Sequence, residues 1–197
     1  MKPKMSLCLL LLTLLTVGGM LQVRAQDWAI KSNVVYDATA TINAGVEVGL
    51  APKWTLDVSG NFNAWSKNES TKWKHWMVQP EARYWFCDRF SRHFIGAHLI
   101  GGAFNFGNLN NNISFLGTDF SVLSDMRYQG YAYGAGVAYG FAFVLSEHLN
   151  LELEGGLGYV YLDYETFRCA DCGRKVGEGT HHYVGPTKLA VNLVFIF

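Results

Sequence analysis

The sequence predicts an all-β protein, an eight-stranded antiparallel up-and-down transmembrane β-barrel. Three observations carry the prediction. Segments of roughly ten residues alternate apolar with small or polar side chains, as strands with two unlike faces do. The composition joins 21 Gly and only 4 Pro to 6 Trp, 10 Tyr and 13 Phe, with half of the residues hydrophobic. The chain also finishes on the greasy alternating stretch Tyr183–Phe197, YVGPTKLAVNLVFIF, with Tyr183, Gly185, Thr187, Leu189, Val191, Leu193, Phe195 and Phe197 on one face. An open apolar edge strand at a terminus invites aggregation in water. A closed barrel pairs that edge, and lipid accepts its apolar face.

Residues 1–25 read as a signal peptide. Lys2 and Lys4 form a positive start, Leu7 to Val17 an apolar run, and Val23-Arg24-Ala25 a cleavage site before Gln26. Cys8 stands at the start of the apolar run, the wrong place for a lipid-anchor cysteine. Residues 26–197 then form one barrel domain. Loss of Lys2, Lys4 and Arg24 takes the basic residues from 16 to 13 against 16 acidic ones, a mature net charge near −3. No basic patch points to nucleic acid. No later stretch approaches the ~20 apolar residues a spanning helix needs.

In chain order, strand one is expected over Trp28–Asp37, followed by a turn at 38–42, and strand two over Asn43–Leu50. Ala51-Pro52-Lys53 makes a tight turn, Pro52 supplying a fixed φ and no ladder donor. Strand three, Trp54–Trp65, alternates Trp54, Leu56, Val58, Gly60, Phe62 and Ala64 with Thr55, Asp57, Ser59, Asn61 and Asn63. After a polar loop at 66–74, strand four, His75–Phe86, sets Trp76, Val78, Pro80, Ala82, Tyr84 and Phe86 against Met77, Gln79, Glu81, Arg83 and Trp85. A turn at 87–92 leads to strand five, His93–Asn105, with Ile95, Ala97, Leu99 and Ala103 outward and His98 inward.

Residues 106–127 form the longest irregular segment. Strand six, Tyr128–Leu145, separates Tyr131, Tyr133, Val137, Tyr139, Phe141 and Phe143 from a Gly/Ala face. A turn at 145–148 precedes strand seven, Leu149–Tyr164, and a loop at 165–180 precedes strand eight. Eight is an even number, as single-chain bacterial barrels have. With both termini periplasmic, the short connections 51–53, 87–92 and 145–148 fall on the periplasmic side. The longer segments 66–74, 106–127 and 165–180 fall outside, with 38–42 the one short outer connection.

Bulk decides which face meets lipid. An eight-stranded barrel has an interior only wide enough for side chains to fill. The two Phe, three Tyr and Val of strand six alone would overfill it, so the apolar face belongs outside, unlike a lipocalin. Aromatics near strand ends (Trp28, Trp54, Trp65, Trp73, Trp76, Tyr84, Phe86) match interfacial girdles. The inward set then holds Lys31, Glu47, Asp57, Glu81, Arg83, Glu152, Glu154 and Lys188. Buried charges must be paired, so these residues are expected to form a salt-bridged plug. A narrow ion or solute pore along the same charges is the alternative.

Cys169 and Cys172 stand in the last outer loop with two residues between them, close to His181 and His182. In an oxidising compartment such a pair closes as a small-loop disulfide. The same spacing is half of a zinc site that a His could complete. A thioredoxin-like redox motif lacks its βαβ context. Cys87 is left unpaired. Otherwise no cofactor is expected. A lipid-modifying enzyme would draw on His75, His98, His181, His182 or Ser66, but these show no recognisable spacing, and no catalytic residue is assigned.

Several runs together resemble one family: Lys31-Ser32-Asn33-Val34-Val35-Tyr36-Asp37-Ala38-Thr39, Gly45–Leu50, Trp73–Trp76, Gln79-Pro80-Glu81-Ala82-Arg83-Tyr84-Trp85, Cys169–Gly173 and Tyr183–Lys188. They resemble the DUF3575 family of small outer-membrane barrel proteins from Bacteroidetes, over essentially the whole mature chain. The terminal Leu193, Phe195 and Phe197 also resemble the C-terminal signal read by the barrel-assembly machinery. The resemblance implies a Gram-negative outer-membrane barrel in contact with the lipid bilayer, with some relatives encoded beside fimbrial components. It supplies no activity. The expectation is a non-enzymatic structural or surface-interaction protein whose partner is a surface or fimbrial protein.

Overall fold

The computed structural model describes residues 27–64, 72–107, 114–115, 118–119, 127–168 and 173–197. The signal segment, Ser66, Cys169 and Cys172 lie outside the described residues. Eight long strands close into a barrel: β1 (Trp28–Asn33), β2 (Ile42–Ala51), β3 (Trp54–Asn63), β4 (Lys72–Trp85), β5 (Arg92–Gly107), β8 (Arg127–Val144), β9 (Leu149–Phe167) and β10 (Lys175–Ile196). Between β5 and β8 sits a small separate hairpin of β6 (Ser114–Phe115) and β7 (Thr118–Asp119). Each barrel strand pairs antiparallel with its chain neighbour, and β1 meets β10 to close the ring, with Ala29 opposite Ile196 and Asn33 opposite Asn192. Closure leaves the terminal residue paired: Phe197 N–H donates to Trp28 C=O at 3.0 Å and the two rings stack 4.2 Å apart.

The outward face is apolar and the inward face polar, as bulk demanded. Val46, Val58, Leu153, Leu193, Phe195 and Phe197 are exposed on the outer wall, while Glu47, Thr55, Asp57, Arg83 and Glu152 are buried. Trp54, Tyr84 and Phe86 form contiguous edge-to-face pairs on the wall near the short turns.

Four expectations are corrected. The alternation of Val34–Asp37 suggested that the first strand continues, but β1 stops at Asn33 and a one-turn helix, α1 (Val34–Ala38), follows. Asn33 is the reason: its Oδ1 accepts from Val35 N–H, an N-cap that turns the chain into helix against β propensity. The last hairpin is longer than expected, β9 reaching Phe167 and β10 starting at Lys175, so the loop at 165–180 narrows to 168–174. Ladder hydrogen bonds extend it through polar residues that carry no apolar alternation. Smaller end shifts likewise start β4 at Lys72 and stop β3 at Asn63.

The fourth correction concerns the terminal stretch, which is not one continuous face. The β9 ladder pairs Pro186 with Leu157 and Lys188 with Gly156, leaving Thr187 as an inserted residue. This bulge swaps the faces. Tyr183, Gly185 and Thr187 therefore turn inward with Lys188, Ala190 and Asn192, while Leu189, Val191, Leu193, Phe195 and Phe197 face out.

Candidate functional site: a charge cluster across the lumen

Inward parity on six strands delivers the eight charges to one place. β1 supplies Lys31, β2 Glu47, β3 Asp57, β4 Glu81 and Arg83, β9 Glu152 and Glu154, and β10 Lys188. All eight meet, and each is at least nine-tenths buried. Arg83 is the hub. Its Nε donates to Glu81 Oε1 at 2.6 Å, Nη1 to Glu47 Oε2 at 2.8 Å and Glu152 Oε2 at 3.2 Å, and Nη2 to Glu154 Oε2 at 2.7 Å. Asp57 Oδ2 lies 3.3 Å from Nη2. Lys188 Nζ reaches Glu81 Oε2 at 2.7 Å and Glu154 Oε1 at 3.1 Å. Lys31 Nζ bridges Glu47 and Glu152, the latter at 2.9 Å.

Sequence parity turned the charges inward, and Thr55, Trp85 and His98 with them, but did not show the contacts by which these neutral groups complete the cluster. Thr55 Oγ1 donates to Glu47 Oε1 and accepts from Trp85 Nε1 at 2.9 Å. His98 is buried at mid-lumen, 3.6 Å from Glu81 Oε2 through Nδ1, with Nε2 2.9 Å from Thr187 Oγ1. Asn192 Nδ2 lies 3.5 Å from Glu152 Oε2. The same parity places Asn192 inward; only the bulge places Thr187. Glycine makes the room: a Cβ on Gly96 would sit 2.5 Å from Glu81 Oε1, and one on Gly140 2.2 Å from the Phe94 ring.

Below the cluster, toward the short turns, the lumen is closed by an apolar floor of Ala29, Trp85, Phe90, Phe94, Ala142, Val194 and Ile196. The Arg83 guanidinium lies over the Phe94 ring, 4.5 Å from its centroid, so the hub is packed as well as paired. Phe90 holds a positive φ of 60° to present its ring to Trp85. Beside the cluster, on the side of α1, lies a cavity of about 30 Å³, lined in part by Lys31, Tyr36, Asp57, Asn61, Gln79 and Lys188. That is room for about one water molecule.

Toward the long connections the lumen opens into a vestibule of about 710 Å³. One run of registered residues lines it: Asn63, His75, Phe104, Gly130, Tyr164 and Gly179. At the far end of the β9–β10 hairpin, Lys175 Nζ meets Glu165 at 2.6 Å and Glu178 at 2.8 Å, and its hydrogen bond holds the Glu178 carboxyl below the usual range.

The histidines do not form one site. His181 and His182 are neighbours on β10, so they point to opposite faces. His182 Nδ1 lies outside, 2.6 Å from Tyr159 Oη. His98 belongs to the charge cluster, and His75 lines the vestibule. Among the described residues no three His, Cys, Asp or Glu side chains are arranged to hold a metal ion. Cys87 is exposed and unpaired in its turn.

Residues 9–197 match the family model described as "Protein of unknown function (DUF3575)". No curated protein and no solved structure matches the chain.

Proposed function

The chain belongs to the DUF3575 family, and on that premise we propose that it is an outer-membrane β-barrel with a plugged, charged lumen. It works without catalysis, as a structural or surface-interaction protein that presents its loop end to a surface or fimbrial partner. The single observation that carries this reading is the cluster around Arg83, which joins six strands across the lumen above a packed apolar floor. A barrel whose centre is crosslinked by its own side chains resists compression and passes no solute. The apolar outer wall, flanked by Trp54, Tyr84 and Phe86, supports placement in a bilayer. The apolar run Leu7 to Val17 behind Lys2 and Lys4 supports export, and the outward Leu193, Phe195 and Phe197 support delivery by the barrel-assembly machinery.

Planar-bilayer recording of the refolded mature chain tests the plug. No steady conductance is expected from the wild type. A wild-type open channel would replace the scaffold with the pore reading. Labelling of intact cells with an impermeant reagent tests the location, the residues at the loop end reacting and those at Pro52–Lys53 staying protected.

A further inference from the structure

Among the described residues the barrel wall is incomplete on one side of its loop end. β10 is paired with β9 from Lys175 to Phe195, but with β1 only from Asn192 to Ile196. The neighbour is missing because Asn33 ends β1 and starts α1. The Asn33 side chain imitates one more rung of ladder: its Oδ1 accepts from Val191 N–H at 3.3 Å, and its Nδ2 donates to Leu189 C=O at 3.4 Å. Beyond that rung no barrel strand follows on this side among the described residues. Pro186, which has no N–H, and the bulge at Thr187 make this edge a poor template for a longer β1.

Exposed apolar side chains flank the same place. Val184 and Leu189 on the outer face of β10 are 71% and 70% exposed, and Ile42, at the start of β2 across the seam, is 63% exposed. Tyr36 of α1 and Leu189 of β10 line the same 30 Å³ cavity, so Tyr36 stands in the seam.

Behind the seam is the vestibule. Among the described residues its wall comes from β3, β4, β5, β8, β9 and β10, with none from α1, β1 or β2. The gap in its ring thus falls where the wall is open. Its lining mixes rings, Phe104 and Tyr164, with polar Asn63 and His75. The interior turns to fixed charge only deeper, at Lys188 and Arg83. In hydrocarbon an open sheet edge must be covered, and a volume of this size suits a small molecule's chain.

We propose that the vestibule is a binding site for a membrane amphiphile, which enters sideways from the outer leaflet through the seam between α1 and β10. Its hydrocarbon chain lies against Phe104 and Tyr164. Its polar part stays near Asn63, His75 and the edge of β10 that β1 does not pair. The inference rests on the membrane reading above and adds a ligand class to it.

The probe is lysophosphatidylcholine with a diazirine at the chain end, incorporated into phosphatidylcholine vesicles holding the refolded mature chain. Photolysis and peptide mass spectrometry should find adducts on inward Phe104 and Tyr164 that excess unlabelled lysophosphatidylcholine suppresses. Adducts on outward Leu99 and Val137 should not saturate, since they report bulk lipid. Gly179→Leu places a side chain against Tyr164, where even a Cβ lies 3.1 Å from Oη. It should lower inward labelling severalfold and leave outward labelling unchanged. For the route, Tyr36→Cys with Leu189→Cys, in a chain whose Cys87, Cys169 and Cys172 are Ser, is joined by a short bismaleimide before lipid is added. Inward labelling should then fall. Absent or unsaturable inward adducts overturn the site, and undiminished labelling of the crosslinked barrel overturns lateral entry. Loss of the outward adducts as well would instead remove the membrane reading.

Discussion

Arg83 is the residue on which the lumen depends. Its guanidinium serves five carboxylates from four strands and also covers Phe94. A lysine could not replace it, because a point charge cannot donate in a planar fork to partners on several sides. Desolvation makes a buried pair weak evidence of net stability, but removing one partner leaves uncompensated charge. Arg83→Met is therefore expected to cost about 3–5 kcal/mol, measured by urea unfolding in lipid. Adding Glu154→Gln should recover part of the loss, a coupling that a double-mutant cycle reads. A neutral Arg83→Met would mean that water already screens the cluster.

Asn33 works at the same scale through different physics. One side chain caps α1 and closes the last rung on β10. In turn, Asn43 extends β2 beside it, its Oδ1 accepting from Asn33 N–H at 2.6 Å and its Nδ2 donating to Asn33 C=O at 3.2 Å. Asn33→Ala should cost about 0.5–2 kcal/mol, the range for a lost cap. The loss should be local: hydrogen exchange should speed up at Val35 and Val191 while amides of β4 and β5 keep their protection. Uniformly faster exchange would show that the seam is part of the global unfolding unit.

At the scale of the element, each strand is a two-sided object whose faces obey different rules. Val58 points out from β3 and Asp57 points in. Val58→Arg should cost about 2–4 kcal/mol if it lies near the bilayer midplane. Asn61→Arg, on the inward face of the same strand, should follow no depth rule. Equal sensitivity at both positions in a lipid-refolding titration would argue against the bilayer placement. β10 shows how one residue changes such an assignment. Inserted Thr187 turns inward beside Lys188, which meets Glu81 and Glu154, and brings its own hydroxyl to His98. Without the bulge Thr187 would point to the outer wall.

Across the whole molecule the lumen is layered: an apolar floor near the termini, the charge cluster above it, and the vestibule at the loop end. Such polarity needs a fixed orientation. A protease site inserted between Asn110 and Asn112 should be cut on intact cells, and one between Pro52 and Lys53 should not. The reverse result would turn the barrel over and place the vestibule in the periplasm.

The strand count, the outward apolar face and all eight members of the cluster were legible in the sequence. Strand side chains alternate with a period of two, and an eight-stranded interior cannot hold large aromatics on top of charges. Where the alternation meets a local hydrogen bond, that reading stops. Nothing in the pattern of Val34–Asp37 shows that Asn33 will cap a helix there. Nothing in Tyr183–Phe197 shows that Thr187 is left out of the ladder. Composition likewise says that charges share the lumen, but not that Arg83 collects them or that Thr55, Trp85 and His98 complete the shell. Those outcomes depend on the register between strands distant in the chain, such as β4 against β9 across the lumen. Register and closure are properties of the folded ring: one residue's slip reverses a face, and only the assembled barrel settles which slip leaves every buried charge a partner.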